Sequence, residues 1–507
     1  MPSTRRTQGT PEPHQGLRQT AAGGVFWGAS TQGLRQLIQL AVTAILARYV
    51  LPEQFGLMGM ASAAMASVAP FNEMGMGAAL VQKRELARGH VAAVFWAQMG
   101  ASVAMGAAIA LAAPLIAAFF KREELVPLLR VLSLNLPLGA AASAPQSLLL
   151  RDLRFRSLAL VETGVLAVAG TTAATLAVAG WGVWSLVAQS LIASLLTAAC
   201  VLMLARFNPL SRASVPTFSQ LRELSSFSGP LAGYQILNFV SRNIDDVLIG
   251  KFLGATALGY YSLAYRVMMY PLQKVSGTIE RVFFPAFSTI QDDPARLSRA
   301  YVKAAQFIAL ITFPMMAVMM VAAPEITRVL FGPGWTQAVP LIAILSAAGL
   351  AGSIGTTVGN IYLATGRSDL MLRWGAFASA CSVASIAIGL IWGVLGVTIS
   401  FTIMSLILWP ISHYFANRLI GLSLTDFYRS LLPPAVLAAV IAALIALLRL
   451  AWAPVGPASQ TAFLLVGGGI AACVYGSCFL YGSPRVLSEA VNVARETFKG
   501  VARRRPA

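Results

Sequence analysis

Stretches of about 20 apolar residues follow one another along the whole chain, each the length an α-helix needs to cross a hydrocarbon core of about 30 Å. About fourteen can be marked by length and hydropathy: 24–47, 55–80, 91–118, 126–149, 157–179, 182–205, 227–250, 258–284, 301–322, 337–363, 370–391, 394–416, 431–450 and 460–481. A bilayer core holds no water, so backbone N–H and C=O groups there must be satisfied internally, and a helix does this within one segment. The connections are short. The chain of 507 residues, 57% hydrophobic and 11% charged, is therefore expected to be an all-α polytopic membrane protein without a large soluble domain.

A formal charge of +18 would suit a nucleic-acid partner, but its distribution points to topology instead. With fourteen spans, the odd-numbered loops carry only Arg48, Lys121, Arg122, Lys251, Arg328 and Arg449. The N-terminus, the even-numbered loops and the C-terminus carry most of the rest, which puts both termini in the cytoplasm. Residues 1–20 read as a flexible cytoplasmic arm ahead of a retained first helix, and 482–507 as a basic cytoplasmic tail. Cys200, Cys381, Cys473 and Cys478 all fall inside spans and read as small apolar residues.

The chain also repeats itself. "ILARYVLPEQFGLMGMASAAM" (45–65) lies on "LIGKFLGATALGYYSLAYRVM" (248–268) without a gap, pairing Arg48 with Lys251, Tyr49 with Phe252, Gly56 with Gly259 and Ala61 with Ala264. "GWGVWSLVAQS" (180–190) similarly resembles "IWGVLGVTISF" (391–401), each reading as a tight hairpin. Two parallel six-helix copies are expected: an N-lobe at 21–206 and a C-lobe at 225–416, joined by a cytoplasmic linker at 207–224. Two extra helices follow at 430–481. Six spans return the chain to its starting side, so the copies share one orientation, and such halves can rock about a central site.

Charges inside the spans locate that site. Gln32, Arg35, Gln36 and Gln39 share one face of the first span, and Gln235, Asn238, Arg242 and Asp245 or Asp246 share one face of the seventh. Arg266, Tyr270, Lys274 and Arg281 fall within about 80° on the eighth, at about 100° per residue, with Pro271 as a possible kink point. A charge at mid-bilayer costs at least about 2.5 kcal/mol, so these groups are expected to face protein or a water-filled cleft between the lobes. Arg35, Arg242, Arg266 and Lys274 would make that cleft basic and suited to a diphosphate, which guanidinium groups bind bidentately. Gln32, Gln39, Gln235, Asn238 and Tyr270 would line it, with Glu73, Asp245 and Asp246 balancing charge or coupling to an ion. Alternatives stand beside this reading. Arg242 and Asp246 are i, i+4 partners that can neutralise each other, Asp245 and Asp246 can be interfacial, and Glu73 can be protonated or paired with Arg35.

Familiar soluble chemistry has no foothold. No P-loop occurs, and His14, His90 and His413 lack metal-ligand spacing. An enzyme is not expected, nor is a cofactor. The longest external connection, "PEITRVLFGPGWTQAVP" (324–340), reads as an interfacial turn with Trp335 as an aromatic anchor.

"NIDDVLIGKFLGATALGYYSLAYRV", "EITRVLFGPGW" and "FNEMGMGAALVQKRE" together resemble the polysaccharide transporter family of the multidrug/oligosaccharidyl-lipid/polysaccharide superfamily, in particular Wzx-type flippases of the exopolysaccharide branch. The resemblance implies transport of an undecaprenyl-diphosphate-linked oligosaccharide to the periplasmic leaflet by alternating access, with a proton or sodium ion as a candidate driver. Polysaccharide polymerase and export proteins would be partners, and nucleic acid would not. A lipid II flippase, an ion-coupled drug exporter of the same superfamily and a non-transporting component of a glycan synthase are the competing readings. The basic surplus argues against the exporter, whose organic cations call for acidic and aromatic residues.

Overall fold

A computed structural model of the protein describes residues 33–68, 88–207, 218–276, 293–454 and 456–477, together with Leu80, Phe287 and Ile290. For 218–242, Arg88, His90 and Lys274 it describes the backbone alone. Among the described residues the secondary structure is helical, and ten helical segments are long and apolar enough to cross a membrane. One of the ten, Ser368–Leu419, contains two helices. The protein is a multi-pass membrane protein.

The helices, in chain order, are α1 (33–49), α2 (Pro52–Ala66), α3 (Arg88–Phe120), α4 (Leu125–Leu132), α5 (Asn135–Arg151), α6 (Phe155–Val178), α7 (Val183–Ala205), α8 (Phe218–Pro271), α9 (Pro294–Val321), α10 (Ala323–Leu330), α11 (Ala338–Ala364), α12 (Ser368–Gly389), α13 (Gly393–Leu419), α14 (Leu424–Ala451) and α15 (Pro457–Ser477). Most coincide with predicted spans, because a long apolar run leaves the chain no other way to satisfy its backbone. Two differ. The span expected at 126–149 is α4 plus α5, parted at Ser133 and Leu134, with Arg130 on the exposed side of α4. Helix α8 begins at Phe218, inside the expected linker, and takes in both the seventh span and most of the eighth.

Helix α8 is not straight. Gly254 has φ 85° and ψ 178°, a conformation essentially reserved for glycine, and the chain turns back there. A further glycine pair marks the two hairpins matched in the sequence: Gly182 (φ 53°) precedes α7 and Gly393 (φ 72°) is the first residue of α13. Under the shift of 211 these are the same position.

The described chain divides into two compact units, Met1–Val50 with Met60–Asn243, and Leu51–Gly59 with Ile244–Ala507. In the first, α3 packs on α4 and α5, and α7 packs on α5 and α6. Helix α1 approaches α6 where Gly170 leaves room for Val42; a methyl at 170 would collide with that side chain. In the second unit, α9 packs on α11 and α14, and α13 on α11 and α12. Its core includes Tyr301, Tyr362, Ile361 and Phe427, each no more than 1% exposed.

The short segment 51–59 belongs to the second unit for a steric reason. A Cβ on Gly56 would fall within the backbone carbonyl of Ala255, and one on Gly259 would fall within that of Pro52. Pro52 and Gly56 become positions 255 and 259 under the shift of 203, so the contact is reciprocal. Trp335 closes the same junction. It is 1% exposed and meets Phe55 and Tyr260 edge to face, with ring centroids 5.2 and 5.9 Å apart. The expected lipid-facing anchor is thus a core residue, because two aromatic rings of its own protein offer edge-to-face contact that a headgroup region does not. Nearby, Glu325 of α10 is 3% exposed and its Oε1 lies 3.2 Å from Arg449 Nε. That ion pair ties α14 to the start of α10.

Candidate functional site

Asp245 and Asp246 stand a little over two helical turns before Gly254, and Tyr261, Tyr265 and Arg266 follow it. In an unbroken helix, residues 245 and 261 would be about 24 Å apart. Instead the Tyr261 hydroxyl donates to Asp245 Oδ2 at 3.1 Å, which requires the chain to reverse at Gly254. Tyr261 is fully buried and Asp245 is 7% exposed. A buried carboxylate needs such a donor, since an unsatisfied one is costly. Tyr265 stacks on Tyr261 with centroids 5.9 Å apart and turns its edge toward Phe401 at 6.2 Å.

Asp246 is half-buried and interacts electrostatically with both Asp245 and Arg266. Side chains on a helix lean toward its N-terminus, so Arg266 leans back toward the turn and toward Asp246. Its residue surface remains exposed. An arginine near a carboxylate, with its residue surface exposed, can receive a further oxyanion.

In the first unit, Arg35 of α1 forms an ion pair with Glu162 of α6, the two side chains being 32% and 38% exposed. Gln36 and Gln39 are half-buried on the same helix. Sequence reasoning offered Glu73 as the partner of Arg35 and passed over Glu162, although the latter is a lone carboxylate in an apolar run and meets the same criterion of an ionisable group within a span. Tyr261 was also missed, since nothing in a single helix signals a donor arriving from across a turn.

The remaining expected residues fall out differently. Tyr270 is half-buried, one turn beyond Arg266. After Pro271 a π-helical turn spans Leu272–Ser276, so the angular sector drawn for Arg266, Tyr270, Lys274 and Arg281 does not carry past Tyr270. The cause is Pro271, which has no N–H to continue the ladder, and the wider π turn changes the rotation per residue. Gln32, Glu73 and Arg281 lie outside the described residues. So do the side chains of Gln235, Asn238, Arg242 and Lys274. Among the described residues no cluster of three His, Cys, Asp or Glu could hold a metal ion.

A family model for "Polysaccharide biosynthesis protein" matches residues 45–340. The chain belongs to this family. The match spans α2, the Gly254 turn and α10, and so includes the acidic pair and Arg266. Among curated relatives, the chain is 25% identical to "Lipopolysaccharide biosynthesis protein WzxC" of Escherichia coli (strain K12) over 423 residues, covering 82% of this chain and 85% of the relative. It is 28% identical to "Succinoglycan biosynthesis transport protein ExoT" of Rhizobium meliloti (strain 1021) over 357 residues, covering 70% and 72%. Among solved structures, it superposes on "Lipid II flippase MurJ, inward closed conformation" with a TM-score of 0.72 at 14% identity, covering 90% of this chain and 98% of that one. An inward-facing multidrug resistance MATE family transporter of the MOP superfamily gives a TM-score of 0.62 at 16% identity, covering 77% and 96%. The structural likenesses are likenesses of fold. For this member of the polysaccharide biosynthesis protein family they place the architecture with MurJ and MATE proteins.

Proposed function

We propose that the protein is a flippase that moves an undecaprenyl-diphosphate-linked oligosaccharide repeat unit from the cytoplasmic to the periplasmic leaflet of a bacterial inner membrane, for exopolysaccharide assembly. One observation carries the reading: a sequence of the polysaccharide biosynthesis protein family has the fold of a Lipid II flippase over 90% of its length. Arg35, Arg242, Arg266 and Lys274 would bind the diphosphate by charge-assisted hydrogen bonds. Gln32, Gln39, Gln235, Asn238 and Tyr270 would line the path of the sugars, and Glu73, Asp245 and Asp246 would balance the charge or couple transport to a proton or sodium ion. The distribution of lysine and arginine supports cytoplasmic termini, and the chain performs no bond-making step of its own.

The test is translocation of the cognate lipid-linked oligosaccharide by purified protein in liposomes, with and without a proton or sodium gradient. Transport by the wild type, with loss in a folded Arg266→Ala variant, is the expected result. Equal transport of lipid II would reassign the substrate. Absence of transport under every gradient would favour a non-transporting role beside a glycan synthase.

A further inference from the structure

Among the described residues, the second unit buries several polar atoms without a hydrogen-bond partner. Trp409, His413 and Asn417 of α13 recur at i, i+4 and i+8, one face of the helix. Trp409 Nε1, His413 Nε2, both polar atoms of the Asn417 side chain, and the hydroxyl of Tyr428 on α14 are all buried without a hydrogen bond. The rings of Trp409, His413 and Tyr428 form a triangle with centroids 5.4, 5.9 and 6.5 Å apart. His413 is 0% and Asn417 1% exposed. Each such atom left bare forfeits the hydrogen bond it makes in water, and five of them are concentrated between two helices.

The chemistry of the set defines its guest. His413 Nδ1 lies 2.9 Å from the carbonyl oxygen of Trp409, which only accepts, so Nδ1 carries the proton and Nε2 presents a lone pair. Trp409 offers a donor, Asn417 one of each kind, and Tyr428 either. With the imidazole neutral, none of these four side chains carries a charge. A cation would find an indole N–H and no carboxylate, and an anion would meet the imidazole lone pair. Only a small neutral molecule that both donates and accepts satisfies all of them, which describes water with two to four partners.

The neighbouring backbone raises the demand. Pro410 in α13 and Pro433 and Pro434 in α14 withhold the N–H groups that would serve the carbonyls four residues earlier. For Ser430 the protein supplies a substitute, since Gln306 Nε2 of α9 donates to its carbonyl at 2.9 Å. We propose that Trp409, His413, Asn417 and Tyr428 line a buried water-binding site between α13 and α14, at the place where prolines interrupt both helices. The seam there is wet, in contrast to the apolar packing of α14 on α15 through Ile441, Ile445 and Phe463.

X-ray hydroxyl-radical footprinting of the intact protein in lipid nanodiscs tests this, because radicals form at bound water and modify the side chains beside it. His413 and Phe463 are both 0% exposed. The expected result is oxidation of His413 several-fold faster than of Phe463, falling to the Phe463 rate in Asn417→Leu, which keeps the branched side-chain shape and removes both amide partners. Oxidation of His413 at the Phe463 rate in the wild type would overturn the proposal. So would fast oxidation unchanged by Asn417→Leu, which would mean access from bulk solvent rather than from a bound cluster.

Discussion

The arm of α8 that follows the turn at Gly254 makes two contacts, and they are built on opposite principles. Next to the turn, Gly56 and Gly259 let backbone meet backbone, and the contact has no room for a methyl group. Further along, the Tyr261 hydroxyl donates to Asp245, and Asp246 interacts electrostatically with Arg266, whose residue surface is exposed. The first contact is a steric fit whose strength lies in having nothing extra. The second is built of polar groups, and in the proposed function it is Arg266 that receives the diphosphate. Rigidity and reactivity are thus separated by only a few residues.

The largest expected effect comes from crowding the tight contact. Gly56→Ala and Gly259→Ala should each destabilise the protein by about 3 kcal/mol or more, since the colliding atom is backbone and cannot turn aside; denaturation in mixed micelles would measure it. A neutral outcome would mean that the crossing is looser than the structure has it. Gly254→Ala ranks next, at about 2 kcal/mol, because its φ and ψ suit only glycine. Tyr261→Phe should cost about 1–2 kcal/mol by taking one donor from a buried carboxylate, and Tyr261→Phe with Asp245→Asn should recover part of it. Arg35→Gln should cost least, under about 1 kcal/mol, as its pair with Glu162 is one-third exposed. Arg266→Ala sharpens the comparison from the other side: transport in liposomes should collapse while the denaturation midpoint moves less than in the glycine variants.

Much of the fold was legible before any coordinates. A run of about 20 apolar residues can do little but form a helix in a membrane, so α3, α6, α7 and α9 appear close to where hydropathy puts them. The shift of 203 was legible too, though not its meaning, that the matched segments touch each other. The site was legible only in part. In-span charge flagged Arg35, Asp245, Asp246 and Arg266, while Glu162 and Tyr261 became partners only once α6 met α1 and the chain turned at Gly254. Trp335 shows the limit from another direction. Beside glycines in a connection between apolar runs, it carries the same local pattern as a headgroup anchor, and only the positions of Phe55 and Tyr260 make it a core residue.

The sequence by itself determined that this protein crosses a membrane many times as helices and which of its polar residues would be expensive there, because transfer from water to hydrocarbon is a property of each segment alone. Which acid meets which base, which glycine is indispensable and which tryptophan is buried were decided by tertiary structure. Those depend on distances between residues far apart in the chain, and no local pattern encodes them.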